Sequence, residues 1–266
     1  MEDCFGRKIT YLRISVTDRC NLRCRYCMPE EGVHLLDRSM ILSYKDIEDF
    51  TQIAVEMGVD KVRITGGEPL VRKGIVSLIE RLSSIEGIKD LSMTTNGVLL
   101  SEYADDLKKA GLKRINISLD TVDADRYRDL TRGGDINRVF EGIYAAKRVG
   151  FNPIKLNCVV EKDSNEESAR GVAEYAFRKN LSVRYIPLMD LKNGVFGRVE
   201  GGDGGNCSEC SRLRLTATGM LKPCLFNDLE FNIKELGAMR AIELALQHKP
   251  HRGGNNNTGC FYNIGG

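Results

Sequence analysis

The sequence predicts an α/β chain of six strand–helix units, forming a partial (βα)6 TIM-like barrel and followed by a small cysteine-bearing C-terminal unit. Three observations predict it. Short apolar runs of period two alternate with amphipathic stretches of helical period from residue 11 to about 190. No Gly-x-Gly-x-x-Gly fingerprint follows the first strand, and a parallel α/β order remains. Composition changes abruptly after Leu191, where residues 192–206 contain six glycines. A doubly wound open sheet shares the same local pattern and stays open at this stage.

In chain order, strands are expected at 11–16, 61–65, 90–94, 114–119, 154–159 and 183–188. Helices are expected at 43–57, 74–84, 101–110, 137–149 and 166–179, and a further one at 235–247. Strand parity sorts the side chains. Leu12, Ile14 and Val16 share one face, with Arg13 and Ser15 on the other. Val62 and Ile64 oppose Arg63 and Thr65; Ile115, Ile117 and Leu119 oppose Asn116, Ser118 and Asp120. Ile154, Leu156 and Cys158 oppose Lys155 and Asn157. The apolar faces must meet the helices, so the polar faces must line the barrel interior. Residues 192–206 read as a flexible linker, and 251–266, rich in Gly and Asn, as an extended or mobile tail. The chain thus divides into 1–191, 192–206 and 207–266.

Composition bounds the function. The 266 residues carry 39 basic and 37 acidic side chains, a net charge of +2. That balance disfavours a nucleic-acid coat or a membrane-surface role, so an anion site must be a local pocket. No apolar run is long enough to span a membrane, and the first residues lack a signal-peptide core, which predicts a cytoplasmic protein. Nine cysteines in such a chain argue for metal rather than disulfides. Cys4 and Cys158 read as a terminal and a core thiol, and His34, His248 and His251 as surface residues.

Cys20, Cys24 and Cys27 form C-x3-C-x2-C directly after the first strand. Zinc wants four protein ligands, and no fourth lies near; an iron–sulfur cubane held by three thiolates keeps one iron open. Zinc or a cluster of redox-buffering thiols is the alternative. This triplet, with an aromatic residue before its third cysteine and with Gly66-Gly67-Glu68-Pro69 ending the second strand, resembles the radical S-adenosylmethionine (SAM) superfamily. The resemblance implies that the open iron chelates the amine and carboxylate of SAM. Its reductive cleavage then gives methionine and a 5′-deoxyadenosyl radical. The motif's glycines would let backbone approach the ligand, and Glu68 would accept from a charged amine.

Parity places Arg13, Arg63 and Lys155 in the lumen, where branched aliphatics would be the ordinary filling. Converging cations suggest a polyphosphate or another multiply charged small ligand; internal salt bridges with Asp120 and Glu68 are the alternative. Cys207, Cys210 and Cys224 form a second triplet, C-x2-C-x13-C, read as a second three-thiolate cubane with an open iron; a zinc site with Cys260 as its fourth ligand is the alternative. Parity within residues 211–216 puts Arg212, Arg214 and Thr216 on one face.

The run from Cys207 through Arg212, Arg214 and Thr216 to Cys224-Leu225, with the terminal Gly265-Gly266, is similar to the GTP 3′,8-cyclase family of molybdenum cofactor biosynthesis. So are residues 15–21, 63–70, 94–97 and 114–120. The resemblance implies two 4Fe–4S clusters and SAM, the second cluster in a small C-terminal auxiliary iron–sulfur cluster domain. It implies SAM contacts at Tyr26, Gly67, Ser118 and Met189, and GTP contacts at Arg13, Arg63, Thr94, Lys155, Arg212 and Arg214. It also implies an electron donor, a following enzyme that takes the product, and a Gly-Gly tail threading toward the active site; it leaves homodimerisation open. Two departures stand out. Residues 192–206 replace a segment of some tens of residues, and Pro187 stands where the family has an acidic residue. A radical SAM peptide-modifying maturase or dehydrogenase, and an iron–sulfur carrier or sensor, are the rival readings.

Overall fold

The computed structural model of the chain describes residues 1–31, 33, 35–257 and 261–264. His34, Cys260, Gly265 and Gly266 lie outside the described residues, and with them the expectations placed on those four.

Six parallel strands form the wall expected from the sequence: β1 (Tyr11–Ser15), β2 (Lys61–Thr65), β3 (Asp90–Thr95), β4 (Arg114–Ser118), β5 (Ile154–Val160) and β6 (Ser182–Pro187). Their helices are α1 (Tyr44–Glu56), α2 (Ile75–Ser83), α3 (Leu100–Lys109), α4 (Ala124–Thr131), α5 (Ile136–Arg148) and α6 (Glu167–Lys179). Among the described residues the sheet order is β6-β5-β4-β3-β2-β1-β7-β8-β9. Consecutive strands are neighbours throughout the first six, with no reversal of order. That is the winding of a partial barrel and excludes the doubly wound alternative.

Local chemistry explains the helix starts. Ser43 and Asp46 form a reciprocal capping box on α1, and Asp123 and Asp135 cap α4 and α5. Strand alternation is cleanest in β5, where Ile154, Leu156, Cys158 and Val160 are buried against the helices while Lys155, Asn157 and Val159 are half-buried on the other face. One continuous apolar core fills the space between sheet and helices.

The C-terminal segment does more than follow the barrel. β7 (Arg212–Leu215) pairs in parallel with the free edge of β1, and β8 (Met220–Lys222) and β9 (Phe231–Asn232) extend the same sheet antiparallel. The single helix expected at 235–247 is two, α7 (Ile233–Leu236) and α8 (Ala238–Gln247), broken at Gly237 with φ +77°. Two expectations need correction. Residues 192–206 are not a free linker: they fold back on β6 through Tyr185↔Glu200 and on the stretch just after it through Asp190↔Val195. The tail is docked in its described part, since Asn256 is buried and bonds the carbonyls of Leu191 and Leu225, and α9 (Phe261–Ile264) buries Ile264.

Candidate functional site

Two cavities open on the lumen. The first cysteine triplet lines one of them, with Tyr26, Gly67, Thr94, Asn96, Ser118 and Met189 on its walls. Its loop has no helix of its own and is tied down from outside. The amides of Arg23 and Arg25 donate to the carbonyls of Thr131 and Leu130 at the end of α4. Arg132 donates to the carbonyls of Arg23 and Met28. Cys27 and Met28 both donate to the Cys24 carbonyl, closing a turn between two of the thiols. Asn96 donates to the Cys20 thiol at 3.8 Å and to Asn21. Burial pushes the Cys20 and Cys24 thiols up, and the Asp120 carboxylate adds to the effect on Cys24.

The Gly66-Gly67 pair serves chain-to-chain approach. A Cβ at Gly67 would stand 2.3 Å from the Arg19 carbonyl oxygen, and the amides of Gly67 and Glu68 donate to the carbonyls of Thr17 and Arg19, both at 2.8 Å. Glu68 is 0% exposed, and its oxygens accept from the Leu70 amide, the Thr95 hydroxyl and the Asn96 amide. Asp120 accepts from the Tyr26 hydroxyl at 2.7 Å and the Val159 amide. The alternative in which these two carboxylates neutralise the lumen cations finds no support in their bonds, which go to scaffold and to orienting Tyr26.

The second cavity is cationic. Arg13, Arg63, Arg184, Arg212, Arg214 and Lys249 line it, together with Tyr11 and the second cysteine triplet. Strand register explains the crowding. Arg13 is the Cα partner of Arg63 on β2 and of Arg214 on β7, so three arginines stand side by side across three adjacent strands. Tyr11 is the partner of Arg212, and its ring lies 5.4 Å from the Arg63 guanidinium and 5.6 Å from that of Arg212. Burial, and then Arg214, Arg63 and Arg212, push the Arg13 guanidinium well below its ordinary range. Burial and the neighbouring Arg212 bring Arg214 down to about 10. An anion in this cavity relieves both effects. Asp203, 78% exposed at its side chain, is the carboxylate paired with Arg212, at 3.1 Å.

Of the residues singled out from the sequence, Tyr26, Gly67, Ser118 and Met189 meet in the cavity of Cys20, Cys24 and Cys27. Arg13, Arg63, Arg212 and Arg214 meet in the other, beside Cys207, Cys210 and Cys224. Thr94 faces the first cavity rather than the second. Lys155 is on the lumen face of β5 but lines neither cavity; burial, then Arg184, Arg114 and Arg63, lower its pKa. Sequence reasoning missed Tyr11 and Arg184, although both share the parity of residues it chose, and it missed Lys249, which no local pattern marks.

All described cysteines are free, and each triplet borders a cavity. Three thiols beside an open space are the donor chemistry that an iron–sulfur cluster with one open iron takes. The two cavities share a wall of Asn157, Ile186 and Met189. Among the described residues no helix is long and apolar enough to cross a membrane.

Comparison with known proteins agrees with this geometry. The profile of the radical SAM superfamily matches residues 14–176. A GTP 3′,8-cyclase of Thermodesulfovibrio yellowstonii is 44% identical, covering 89% of this chain and 88% of its own length. One from Alkaliphilus oremlandii is 42% identical, with coverage of 88% and 86%. The first alignment runs over 282 positions against 266 residues here, so that relative has segments this chain lacks. Among solved structures, native anSMEcpe with bound AdoMet superposes with a TM-score of 0.63 at 15% identity, over 91% of this chain and 81% of that one. Streptococcus suis SuiB bound to S-adenosylmethionine gives 0.62 at 17% identity, over 91% of this chain and 64% of that one. The chain spans 38% of SuiB in its complex with the precursor peptide SuiA. These structures share the fold.

Proposed function

The chain belongs to the radical SAM superfamily, and from that premise we propose that it is the enzyme converting GTP to (8S)-3′,8-cyclo-7,8-dihydroguanosine 5′-triphosphate, the first step of molybdenum cofactor biosynthesis. The observation that carries the reading is the shared wall between a cysteine-lined cavity and an arginine-lined one. The two cavities adjoin at Asn157, Ile186 and Met189, so a group held in the first would lie next to a nucleotide held in the second.

Cys20, Cys24 and Cys27 hold the superfamily's 4Fe–4S cluster, with SAM against Tyr26, Gly67, Ser118 and Met189. When bound, cluster and SAM supply a 5′-deoxyadenosyl radical that takes a hydrogen from the ribose. Tyr26 is oriented by Asp120, which fixes one edge of the SAM cavity. Arg13, Arg63, Arg212 and Arg214 grip the triphosphate, their forks matching its oxygens; Thr94 lies on the neighbouring cavity and Lys155 outside both, so neither is assigned a phosphate contact. Cys207, Cys210 and Cys224 would hold a second 4Fe–4S cluster, which would offer a Lewis-acidic iron to the nucleotide in the same cavity. An electron donor and the enzyme that takes up the product complete the partners.

The test separates the two sites. Replacing Cys24 by Ala abolishes 5′-deoxyadenosine formation in anaerobically reconstituted protein. Replacing Cys210 by Ala leaves uncoupled SAM cleavage and removes the cyclised product. Joint loss or joint retention of SAM cleavage in the two variants overturns the division. Absence of GTP binding by the parent protein overturns the nucleotide reading in favour of a peptide-modifying activity.

A further inference from the structure

The second cysteine triplet comes from two pieces of chain, the turn of Cys207 and Cys210 and the segment of Cys224, and two buried cations tie these to the segment 249–251. Arg7 is buried and paired with Asp3 at 2.6 Å. Its fork donates to the Cys207 carbonyl at 2.7 Å, to His251 at 3.0 Å and to Pro250 at 2.8 Å. Next to that turn, Lys249 is 2% exposed and sends its ammonium into the cationic cavity wall. The ammonium donates to the Arg212 carbonyl at 2.7 Å and to the Pro223 carbonyl at 2.5 Å. Those carbonyls stand two residues after Cys210 and one before Cys224. Cys210 and Cys224 lie within electrostatic reach of the ammonium.

A buried lysine held by two carbonyls is a costly choice for a staple, since an amide side chain would make the same bonds without burying a charge. What an ammonium adds is a fixed positive charge beside two sulfurs. Three thiolates on a cubane leave net negative charge on the group, and a cation held against them favours the reduced state. We propose that Lys249 is the positioning cation of the second cluster site: it clamps the Cys210 and Cys224 segments together, and its charge raises the electron affinity of the cluster they hold. The proposal rests on the two-cluster reading above.

The test uses the full chain, reconstituted anaerobically, in a Cys24→Ala background that leaves the second cluster alone. Iron and sulfide content are measured first. If Cys24→Ala holds no more iron than Cys24→Ala/Cys210→Ala, the two-cluster reading fails and Lys249 with it. With four irons present, the potential is read by a redox titration followed by electron paramagnetic resonance. Lys249→Met, close in volume and uncharged, is expected to shift the potential to more negative values, and Lys249→Arg to restore it toward the parent. Selective loss of these irons in Lys249→Met, with retention in Lys249→Arg, also supports a charge role. An unchanged potential in Lys249→Met, or equal iron loss in both variants, overturns the proposal.

Discussion

Glu68 shows how much of a motif residue's chemistry can lie inside the scaffold. Its carboxylate accepts from the Leu70 amide, the Thr95 hydroxyl and the Asn96 amide. Burial outweighs those bonds and raises its pKa from 4.5 to about 7. The native state then binds the proton more tightly than the unfolded chain. The stability that Glu68 contributes is full below about 4.5 and is lost as pH rises toward 7, a difference of about 3 kcal/mol at 1.36 kcal/mol per unit. Glu68→Gln stays neutral, so urea unfolding at pH 5 and pH 8 should show a flatter dependence than the parent. The variant should also be less stable at pH 5 by about 1–3 kcal/mol, because an amide NH2 faces the Asn96 amide. An identical pH slope in parent and variant refutes the assignment. At this scale the sequence was most legible where parity alone decided, as for Arg13 and Arg63. It was least legible for Lys249, whose role depends on carbonyls of residues far away in sequence.

At the scale of elements, α4 and residues 192–206 show two ways in which a local pattern misleads. α4 offers only Tyr127 and Thr131 to the interior, so it has no apolar period to find; the Asp123 cap was its one sequence signal. Its end nevertheless anchors the loop of the first cysteine triplet. In 192–206 the glycines suggested freedom, but several mark close packing. A Cβ at Gly205, where φ is +77°, would stand 2.0 Å from the Gly197 carbonyl oxygen, and one at Gly201 would stand 2.6 Å from that of Val183. Gly205 leads directly into Asn206 and Cys207, so strain there moves a cysteine proposed to hold the second cluster and the wall of the cationic cavity. Gly205→Ala is expected to lower iron content toward four per chain and weaken GTP binding about tenfold or more, a loss of about 1.4 kcal/mol. SAM cleavage should survive. Gly150→Ala is the control: it too has positive φ, +80°, but meets no atom within 4 Å. It should cost about 1 kcal/mol of stability and leave iron and GTP binding intact. Equal behaviour of the two variants would mean that the segment is slack after all.

The whole molecule is organised around a conflict of like charges that its topology creates. β1 pairs with β2 on one side and with β7 on the other, so the first strand joins the barrel wall to the C-terminal strands. In-register pairing then sets Arg63, Arg13 and Arg214 in one row, with strands about 4.8 Å apart. Like charges directly opposite destabilise a sheet, and this row is largely screened from water. A fold optimised for stability alone would not keep it. A multiply charged anion turns the same row into a set of forks aimed at one ligand. The row therefore predicts opposite effects on stability and on binding from one substitution. Arg63→Met keeps much of the apolar stem and removes a charge. Without ligand it should unfold at higher temperature than the parent, by about 1 kcal/mol of added stability. Its GTP affinity should fall by about one to two orders of magnitude, as the loss of a charge-assisted contact of roughly 1.5–3 kcal/mol implies. Inorganic triphosphate should raise the melting temperature of the parent and raise that of Arg63→Met less, since binding to the folded state alone sets the increment. Differential scanning calorimetry of the apoprotein with and without triphosphate measures the first and third of these, and equilibrium binding of GTP measures the second. A variant less stable than the parent, yet binding GTP as well, would show that Arg63 supports the sheet instead of the ligand, and the charge row would lose its functional meaning.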